Sequence, residues 1–386
     1  MARMNVRNTS VVFPAQTVEH EEVVSAVRAL LRDGLPEDFM RSCVRIAEFE
    51  IFSGGLKASL VGALRINVHA AMKLGDDELN RHATLIRFVN ERWPRTFPGI
   101  LDCFELGGGR VLLFMENLRG YKSLQDLVYI QHTPHADLQR IADHACKAVG
   151  SIHALNLKDM EPALKGWPKN DDPFSTRLQS KIDDVVRTDP VLETVIKRAG
   201  VVNGFPCPPV IELLHKAAKY CAEATSLSNV RLIHGDPHLA NIMARRRGTY
   251  GYSVRLIDPN PEIGIAPPLY DIGKLLHWAE PVGWARVRNG EVCAARWASS
   301  ASRGWRLDVN HDGSPKSAER RRITVEQTFQ RFAETYRSEH GALFSPMLHI
   351  AIASAHLGLA ALVKGDEHKQ IRRFVFAHAL LHLRNL

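Results

Sequence analysis

Two different spacings of apolar residues divide the chain near position 120. From Val44 to Leu74, short apolar stretches are broken by Gly and Asn, which predicts antiparallel strands joined by tight turns. A helical spacing follows from Glu78 to about Trp93, and Pro94 ends it. A hairpin comes next, because the apolar runs 100–106 and 110–115 flank three consecutive glycines. The first part of the chain is therefore predicted to be a small sheet with one helix.

Helical spacing dominates beyond position 120. It is clearest over Leu138–Leu155 and Val210–Ala224, and the N-terminal stretch Val18–Arg32 shows it as well. Trp284–Lys316 is rich in Gly, Ser and Arg without a clear period, which predicts an irregular insertion. The uncharged run Pro346–Val363 approaches the length of a membrane span, but three polar residues interrupt it, so a buried helix is predicted.

A second hairpin interrupts the helical part. Arg231–Ile233 leads into Asn241–Ala244, and after a turn at Arg245–Gly251 the chain continues as the strand-like segment Val254–Ile257. The loops around this hairpin are dense in polar side chains, and a rigid support for such side chains is what a functional site needs. We therefore predict that the functional site lies at this hairpin.

Composition limits the classes of protein that the chain can be. Its 386 residues are 45% hydrophobic and 24% charged, which suffices for one large or two modest domains and excludes disordered and fibrous proteins. Fifty Lys and Arg against 42 Asp and Glu leave a net charge of +8, which suits an anionic partner. The basic triplets at 245–247 and 320–322 lack interleaved aromatic residues, so nucleic acid is not predicted as a partner.

Cysteine usage and the N-terminal residues predict a cytoplasmic protein. The six cysteines are scattered without a Cys-x-x-Cys pair, which argues against a zinc site, a redox centre or a disulfide framework. The first 30 residues contain no apolar stretch long enough for a signal peptide. We expect reduced thiols and no membrane partner, and the sequence leaves the oligomeric state open.

The second hairpin brings three metal- or proton-binding groups together. Asp236 and Asn241 lie on the loop before it, and Asp258 follows its last strand. A carboxylate and an amide oxygen are hard ligands of the kind that Mg²⁺ prefers. A second carboxylate, Asp236, can accept a proton from an attacking hydroxyl. These are the parts of a phosphoryl-transfer site.

The order of these residues resembles a known family. The segment His234-Gly-Asp-Pro-His-Leu-Ala-Asn-Ile242 is similar to the His-Gly-Asp-x-His-x-x-Asn-Ile signature of the aminoglycoside phosphotransferase and choline kinase family, and Asp258 matches the metal-binding Asp of that family. The resemblance implies an α+β, bilobal, protein-kinase-like fold. A small antiparallel-sheet lobe is expected over 1–118 and a mostly helical lobe, with the catalytic and metal loops, over 119–386.

The same resemblance implies a reaction. ATP or GTP would be the co-substrate, and its γ-phosphoryl group would pass to a hydroxyl of a small molecule. Asp236 would be the catalytic base, and Asn241 and Asp258 would hold Mg²⁺. Other residues would bind the nucleotide through a glycine-containing loop, a strand lysine and a hinge. They are Gly54, Gly55, Lys57 and Ser59 in the loop, Lys73 on the strand, and Glu116 and Leu118 in the hinge.

The partner of the strand lysine departs from the family pattern. The family has an acidic residue on the next helix, often in an Arg-Glu-Ala context, but here that context reads Arg81-His82-Ala83. Glu78 lies four positions before His82 and so faces the same side of the helix. We predict that Glu78 supports Lys73; if His82 faces Lys73 instead, the lysine is oriented differently.

Several residues also have simpler interpretations. His234 is expected to bond the loop backbone rather than a metal, and His238 to shape the loop or the acceptor pocket. Asp271 is expected to be a helix N-cap with a supporting tie to the catalytic loop. Two other functions stay open, a metal-dependent phosphoesterase and a non-catalytic nucleotide-binding protein, although the further motifs of a phosphoesterase are missing from the sequence.

Charge near the C-terminus bears on the acceptor. From Lys316 to Leu386 eleven Lys or Arg stand against six Asp or Glu. That balance predicts a neutral or anionic acceptor, such as a sugar, a nucleoside or a less basic antibiotic, rather than a polycation. An amino alcohol, or an aminoglycoside in an antibiotic-resistance kinase, is the alternative.

Overall fold

The computed structural model describes residues 48–52, 60–65, 69–106, 109–160, 167, 172–225, 230–248, 251–283, 294–300, 304–310 and 316–386. The chain divides into two compact units, Met1–Tyr121 and Lys122–Leu386. The predicted N-terminal helix at 18–32 lies outside the described residues, and so does the predicted glycine-containing loop at 53–59.

The first unit is built on a five-stranded antiparallel sheet. Its strands are β1 (Glu48–Phe52), β2 (Leu60–Arg65), β3 (His69–Asp76), β4 (Ile100–Leu106) and β5 (Arg110–Glu116), and their order across the sheet is β1-β2-β3-β5-β4. Gly109 has a φ of 72°, a left-handed conformation that Gly adopts without a steric penalty, in the turn of the β4–β5 hairpin. The predicted sheet and its glycine hairpin are confirmed.

One helix packs on this sheet, as predicted. α1 (Glu78–Arg92) buries Leu79 and Ala83, which are four positions apart and so share a face. They form one apolar cluster with Val111 and Leu113 of β5. Removal of this apolar surface from water fixes the helix against the sheet next to the strand that carries Lys73.

The second unit is mostly helical, as predicted. Its helices are α2 (Leu124–Tyr129), α3 (His135–His153), α4 (Ser175–Thr188), α5 (Glu193–Lys197), α6 (Val210–Thr225), α7 (Leu269–Ala279), α8 (Lys316–Glu334), α9 (Arg337–His340), α10 (Phe344–Leu362) and α11 (Lys369–Leu383). Helices α7 and α11 pack against α10, which lies at the centre of the helical core.

The central helix α10 confirms the predicted buried helix. In the described part of the chain, the stretch Arg337–Leu362 is the one that is long and apolar enough to cross a membrane. Two thirds of its most apolar window, 67%, is buried inside the protein. A helix that is apolar on all sides and covered by neighbouring helices is typical of a protein core.

Short strands carry the loops of the second unit. They are β6 (Lys122–Ser123), β7 (Gly200–Val202), β8 (Phe205–Cys207), β9 (Arg231–Leu232), β10 (Ile242–Arg247), β11 (Gly251–Leu256), β12 (Ile265–Ala266), β13 (Ala294–Ser300) and β14 (Gly304–Asn310). β10 and β11 form the predicted second hairpin, with Ile242 opposite Leu256, and β6 extends it to three strands.

The predicted irregular insertion at Trp284–Lys316 is wrong over its described part. β13 and β14 pair as an antiparallel hairpin, and β14 runs parallel to β7. The indole of Trp305 lies against Gly200, where an added Cβ would come within 2.2 Å of it, and its Nε1–H donates to the Arg198 carbonyl at 2.6 Å. The sequence pattern misses these strands because Ala, Ser and Arg have little strand preference and pairing with a distant strand decides the conformation.

Candidate active site

The loop His234–Asn241 connects β9 to β10, and its backbone is fixed by close contacts. Gly235 has a φ of 82°, and a Cβ there would lie 2.6 Å from the Asn260 carbonyl oxygen, so only Gly fits. The Asn260 N–H donates to the His234 carbonyl at 2.7 Å. The loop is thereby joined to the segment that follows β11.

A buried carboxylate organises the start of this loop. Asp271, on the first turn of α7, accepts the backbone N–H of His234 through Oδ2 and that of Gly235 through Oδ1, each at 2.8 Å. Its Oδ2 also lies 3.0 Å from Nε2 of His153, and the Asp271 side chain has no exposed surface. Hydrogen bonds to a buried anion are stronger than those between neutral groups. Asp271 therefore holds the loop in one conformation.

The predicted N-cap role of Asp271 is wrong, while its predicted tie to the loop is confirmed. The N-cap of α7 is Pro268, and the Asp271 carboxylate is occupied by the loop. His153, at the end of α3, was not among the residues predicted from the sequence. Its Nδ1 lies 2.7 Å from the Tyr336 hydroxyl, which completes a buried chain of polar groups.

The predicted base, Asp236, lies between two nitrogen-bearing side chains. Its Oδ1 is 3.0 Å from Nζ of Lys274, and its Oδ2 is 3.7 Å from Nε2 of His238. Burial raises the pKa of Asp236, but the Lys274 ammonium group and the neighbouring histidines lower it more, so the net pKa is below its ordinary value. The carboxylate is ionised at neutral pH and 31% exposed, which allows it to meet an acceptor.

Lys274 is a site residue that was not predicted from the sequence. It lies three positions after Asp271 on α7, so the same helix face presents the organising carboxylate and the ammonium group. Only 13% of the Lys274 side chain is exposed, so its charge is directed at Asp236 rather than at bulk water. The signal in the sequence was an Asp followed three positions later by a Lys in an apolar helix. This spacing is common in helices of every kind, so it does not mark a site.

The two loop histidines have different surroundings. Nδ1 of the fully buried His234 accepts the Asp236 N–H at 3.2 Å, and burial lowers the His234 pKa, so the ring is neutral. Its predicted structural role is confirmed. The His238 ring stacks on Trp278, with centroids 4.4 Å apart and an interplanar angle of 17°, and the Trp278 Nε1–H donates to Gln125 at 2.7 Å. His238 therefore lies between Asp236 and a fixed indole, and its role in the acceptor pocket stays a prediction.

The predicted magnesium ligands lie on hydrogen-bonded segments. The Asn241 amide nitrogen donates to the Asp236 carbonyl at 3.0 Å, which directs the amide oxygen to the other side. The Ile257 N–H donates to the Asn241 carbonyl at 2.9 Å and so brings the start of the Asp258 segment to the loop. Asp258 is exposed and has a left-handed φ of 57°. One amide oxygen and one exposed carboxylate fit Mg²⁺, which takes few protein oxygens and retains waters.

The first unit holds the other predicted nucleotide ligands. Lys73 lies on β3 and is 8% exposed, and Glu78 begins α1 with Oε1 3.4 Å from Nε2 of His82. The Gly99 N–H donates to the Glu116 side chain at 3.2 Å, and the Leu118 carbonyl accepts the Tyr121 N–H at 3.0 Å. The roles of these residues stay predictions. Gly54, Gly55, Lys57 and Ser59 lie outside the described residues.

Comparisons with known proteins give a fold and a family. A protein from Ralstonia eutropha JMP134, assigned as an aminoglycoside phosphotransferase, is 14% identical over 90% of this chain and 97% of that chain, with a TM-score of 0.51. A thermostable mutant of the aminoglycoside phosphotransferase APH(4)-Ia is 11% identical over 91% of this chain and 99% of that chain, with a TM-score of 0.50. The comparison with curated proteins gave no match.

At such identities the structural likeness shows the fold alone, and this confirms the predicted kinase-like α+β fold. The sequence profile of the phosphotransferase enzyme family matches residues 94–306, which is more than half of the chain and includes the whole β10–β11 hairpin. The match begins after Lys73 and Glu78, and it covers β4 and β5 of the first unit and the second unit as far as Arg306. The chain belongs to the phosphotransferase enzyme family.

Proposed function

We propose that this protein transfers the γ-phosphoryl group of Mg-ATP to a hydroxyl group of a small molecule. The observation that carries the proposal is an ionised, partly exposed carboxylate, Asp236, on a loop whose backbone is held by the buried Asp271. A base held in one position is what phosphoryl transfer requires, because that reaction is catalysed mainly by positioning and charge neutralisation. Membership of the phosphotransferase family supports the same reaction.

Asp236 is the proposed catalytic base. Its carboxylate accepts the proton of the acceptor hydroxyl while the hydroxyl oxygen forms a bond to the γ-phosphorus. The bond between that phosphorus and the bridging oxygen of the β-phosphate breaks, and ADP leaves with the electron pair. Asp236→Asn removes the proton acceptor with little change in shape, so turnover of the true acceptor should fall by at least about a hundredfold.

Asn241 and Asp258 are the proposed ligands of Mg²⁺. Their amide and carboxylate oxygens have the chemistry that this ion selects, and their segments are joined by the hydrogen bond from Ile257 to Asn241. When bound, Mg²⁺ neutralises charge on the transferred phosphoryl group and the leaving phosphate. Lys73, supported by Glu78, is the proposed phosphate ligand, and the backbone at Glu116 and Leu118 the proposed adenine-binding hinge. ATP is the first nucleotide to test, and GTP is the alternative co-substrate.

The acceptor is proposed to be neutral or anionic. Lys274 lies 3.0 Å from the base and offsets its negative charge, so Asp236 attracts a polycation less than an unpaired carboxylate would. The excess of Lys and Arg between Lys316 and Leu386 supports a neutral or anionic acceptor less strongly than its count alone indicates. Four of its arginines, Arg321, Arg322, Arg372 and Arg373, are buried and bonded within the protein.

An aminoglycoside acceptor is the second candidate, because the two similar structures carry that name. The test is a screen of sugars, nucleosides, phosphorylated metabolites, macrolides and aminoglycosides with Mg-ATP, read as the mass gain of a phosphoryl group. Wild-type protein and Asp236→Asn are run in parallel. Product that depends on ATP and on Asp236 supports the proposal. Release of phosphate from esters without ATP, or product yields equal in both proteins, would overturn it.

A further inference from the structure

A carboxylate and three imidazoles converge inside the second unit, beyond the end of α7. Glu280 directly follows α7, His356 lies in the middle of α10, and His378 and His382 lie on α11. Oε2 of Glu280 is 2.8 Å from Nε2 of His356 and 3.5 Å from Nδ1 of His378. Oε1 of Glu280 is 2.7 Å from Nε2 of His382. Two helices, α10 and α11, thus direct three ring nitrogens at one carboxylate.

This group, here called the Glu280 cluster (Glu280, His356, His378 and His382), is largely shielded from water. The His356 side chain has no exposed surface, and those of the other three members are 14–16% exposed. This residual exposure lets an ion reach the side chains while most of their surface stays out of water. None of these four residues has a role in the proposed phosphoryl transfer.

Ligand type and spacing are those of a transition-metal site. His378 and His382 are four positions apart on one helix, so both rings lie on the same face. Ligand atoms of Glu280, His356 and His382 all lie within 4.8 Å of one another. Three imidazoles and one carboxylate suit Zn²⁺ and its first-row neighbours, whereas Mg²⁺ and Ca²⁺ prefer all-oxygen sites. Tetrahedral ligands about 2.1 Å from zinc lie roughly 3.4 Å apart, a spacing reachable from the observed one by small side-chain shifts.

Outer contacts hold His382 and the backbone at Glu280 in place. Nδ1 of His349 lies 3.0 Å from Nδ1 of His382, the ring nitrogen that faces away from Glu280. The Tyr129 hydroxyl donates to the backbone carbonyl of Glu280 at 3.3 Å, and Nη1 of Arg322 donates to that of Ala279 at 2.7 Å. A partner on the far nitrogen fixes the tautomer and the orientation of a metal-binding histidine.

We propose that the Glu280 cluster is a binding site for one divalent first-row transition metal ion, with Zn²⁺ as the fitting probe. The ion takes the place of the ring protons that otherwise point at the carboxylate. On binding, the protons on Nε2 of His356 and of His382 move to Nδ1, and the proton of the His378 ring lies on Nε2. The new Nδ1–H of His382 donates to Nδ1 of His349, whose own proton moves from Nδ1 to Nε2.

The ion would join the end of α7 to α10 and α11. Trp278, which stacks on His238, and Lys274, which contacts Asp236, both lie on α7. The proposed metal site would therefore stabilise the end of the helix that carries Lys274 and Trp278, two residues of the candidate active site. It does not depend on the proposed reaction, because metal binding can be measured without nucleotide or acceptor.

The test is titration of chelator-treated full-length protein with Zn²⁺ alone, followed by calorimetry, and with Co²⁺ alone, followed by visible absorption. We expect one tight equivalent of Zn²⁺ that excess Mg²⁺ does not displace, and the intense Co²⁺ bands of a four-coordinate site. His356→Gln should weaken the tight equivalent at least tenfold. His368→Gln is the control, because His368 is an exposed histidine 3.7 Å from a glutamate, Glu367, and it should change nothing.

Glu280→Gln is the second variant, since it keeps the shape of the side chain and removes its charge. Circular dichroism checks that each variant is folded. A tenfold loss of affinity in either folded variant supports the site. Wild-type protein without a tight equivalent, or tight binding that both folded cluster variants retain, would overturn it and leave the cluster as a set of hydrogen bonds to Glu280.

Discussion

The ammonium nitrogen of Lys274 lies 3.0 Å from Oδ1 of Asp236, the predicted base of the candidate active site. The two residues come from different elements, α7 and the loop before β10. Burial raises the pKa of Asp236, and Lys274 is the largest of the influences that lower it. The charge of Lys274 is therefore the main influence that keeps the pKa of this carboxylate low.

Lys274→Met should introduce an acid limb into the pH dependence of kcat/KM. In the wild-type protein the lowered pKa of Asp236 keeps it deprotonated from pH 5 to 8, so protonation of this base does not reduce the rate. Without the ammonium group, the largest influence that lowers the pKa of Asp236 is removed while the effect of burial remains, so the pKa rises. The variant-to-wild-type ratio of kcat/KM should then fall as pH falls towards 5.

Dividing the kcat/KM of the variant by that of the wild type at each pH cancels the effect of ATP protonation, which is the same for both proteins. Lys274→Arg keeps the positive charge and should restore a flat ratio. A flat ratio for Lys274→Met would show that this ammonium group does not control Asp236. The measurement needs an acceptor from the screen and saturating Mg-ATP.

Asp271→Asn should destabilise the protein and lower turnover together. The wild-type carboxylate accepts two backbone N–H groups and lies beside His153, all out of contact with water. An amide has one acceptor oxygen, so one buried N–H loses its partner, at a cost of about 3 kcal/mol of unfolding free energy. Urea unfolding measures this loss, and kcat should fall because the loop carrying Asp236 is no longer held.

Asp183→Asn serves as the matched control. Asp183 is exposed on α4 and accepts a hydrogen bond from Gln179 of the same helix. The same chemical change there should alter stability by less than about 0.5 kcal/mol. Equal effects of the two substitutions would contradict the organising role of Asp271.

The elements that the sequence predicted are those with a local signal. Helix spacing located α1, α3 and α6, an uncharged apolar run located α10, and glycines between apolar runs located the strands and turns of the first unit. The motif order located Asp236, Asn241 and Asp258 on one hairpin. The structure bears out these placements because the residues that decide them are close in sequence.

The residues that were missed depend on partners far away along the chain. His153 reaches Asp271 across 118 positions, and nothing around either residue marks the pair. Strand β14 pairs with β7, more than a hundred positions earlier. Such contacts are set by packing of the whole unit, which a single sequence does not display.

The buried thiols of Cys146, Cys207 and Cys221 should be unreactive in the native protein. Burial raises the pKa of Cys207 to about 11 and that of Cys221 to about 12, and Cys146 is shifted further in the same direction. At pH 8 the thiolate fraction of Cys207 is then only about one in a thousand. Iodoacetamide at pH 8, followed by peptide mass spectrometry, should label these three residues only after unfolding in urea.

Cys103, which is half-buried, provides the internal comparison and should react faster than the other three. Rapid labelling of Cys207 or Cys221 without denaturant would show that their surroundings open readily.

Gly273→Ala and Gly150→Ala should change stability in opposite directions. Gly273 lies on α7, where an added Cβ would come within 2.6 Å of the Ala351 backbone of α10. No side chain can rotate to relieve a clash with backbone, so the helices must separate, at a cost of about 2 kcal/mol. Gly150 lies inside α3, where the nearest atom to a new Cβ is a Phe332 ring carbon at 3.5 Å, an ordinary contact. Replacement there removes the helix penalty of Gly and should stabilise the protein by about 1 kcal/mol.

Chemical unfolding of the two variants and the wild type measures both signs in one experiment. Since Gly273 lies between Asp271 and Lys274, its substitution should also reduce kcat, whereas Gly150→Ala should leave kcat unchanged. Stabilisation by both substitutions would contradict the close approach of α7 to α10, because only a backbone contact makes alanine unfavourable at one helical glycine and favourable at the other.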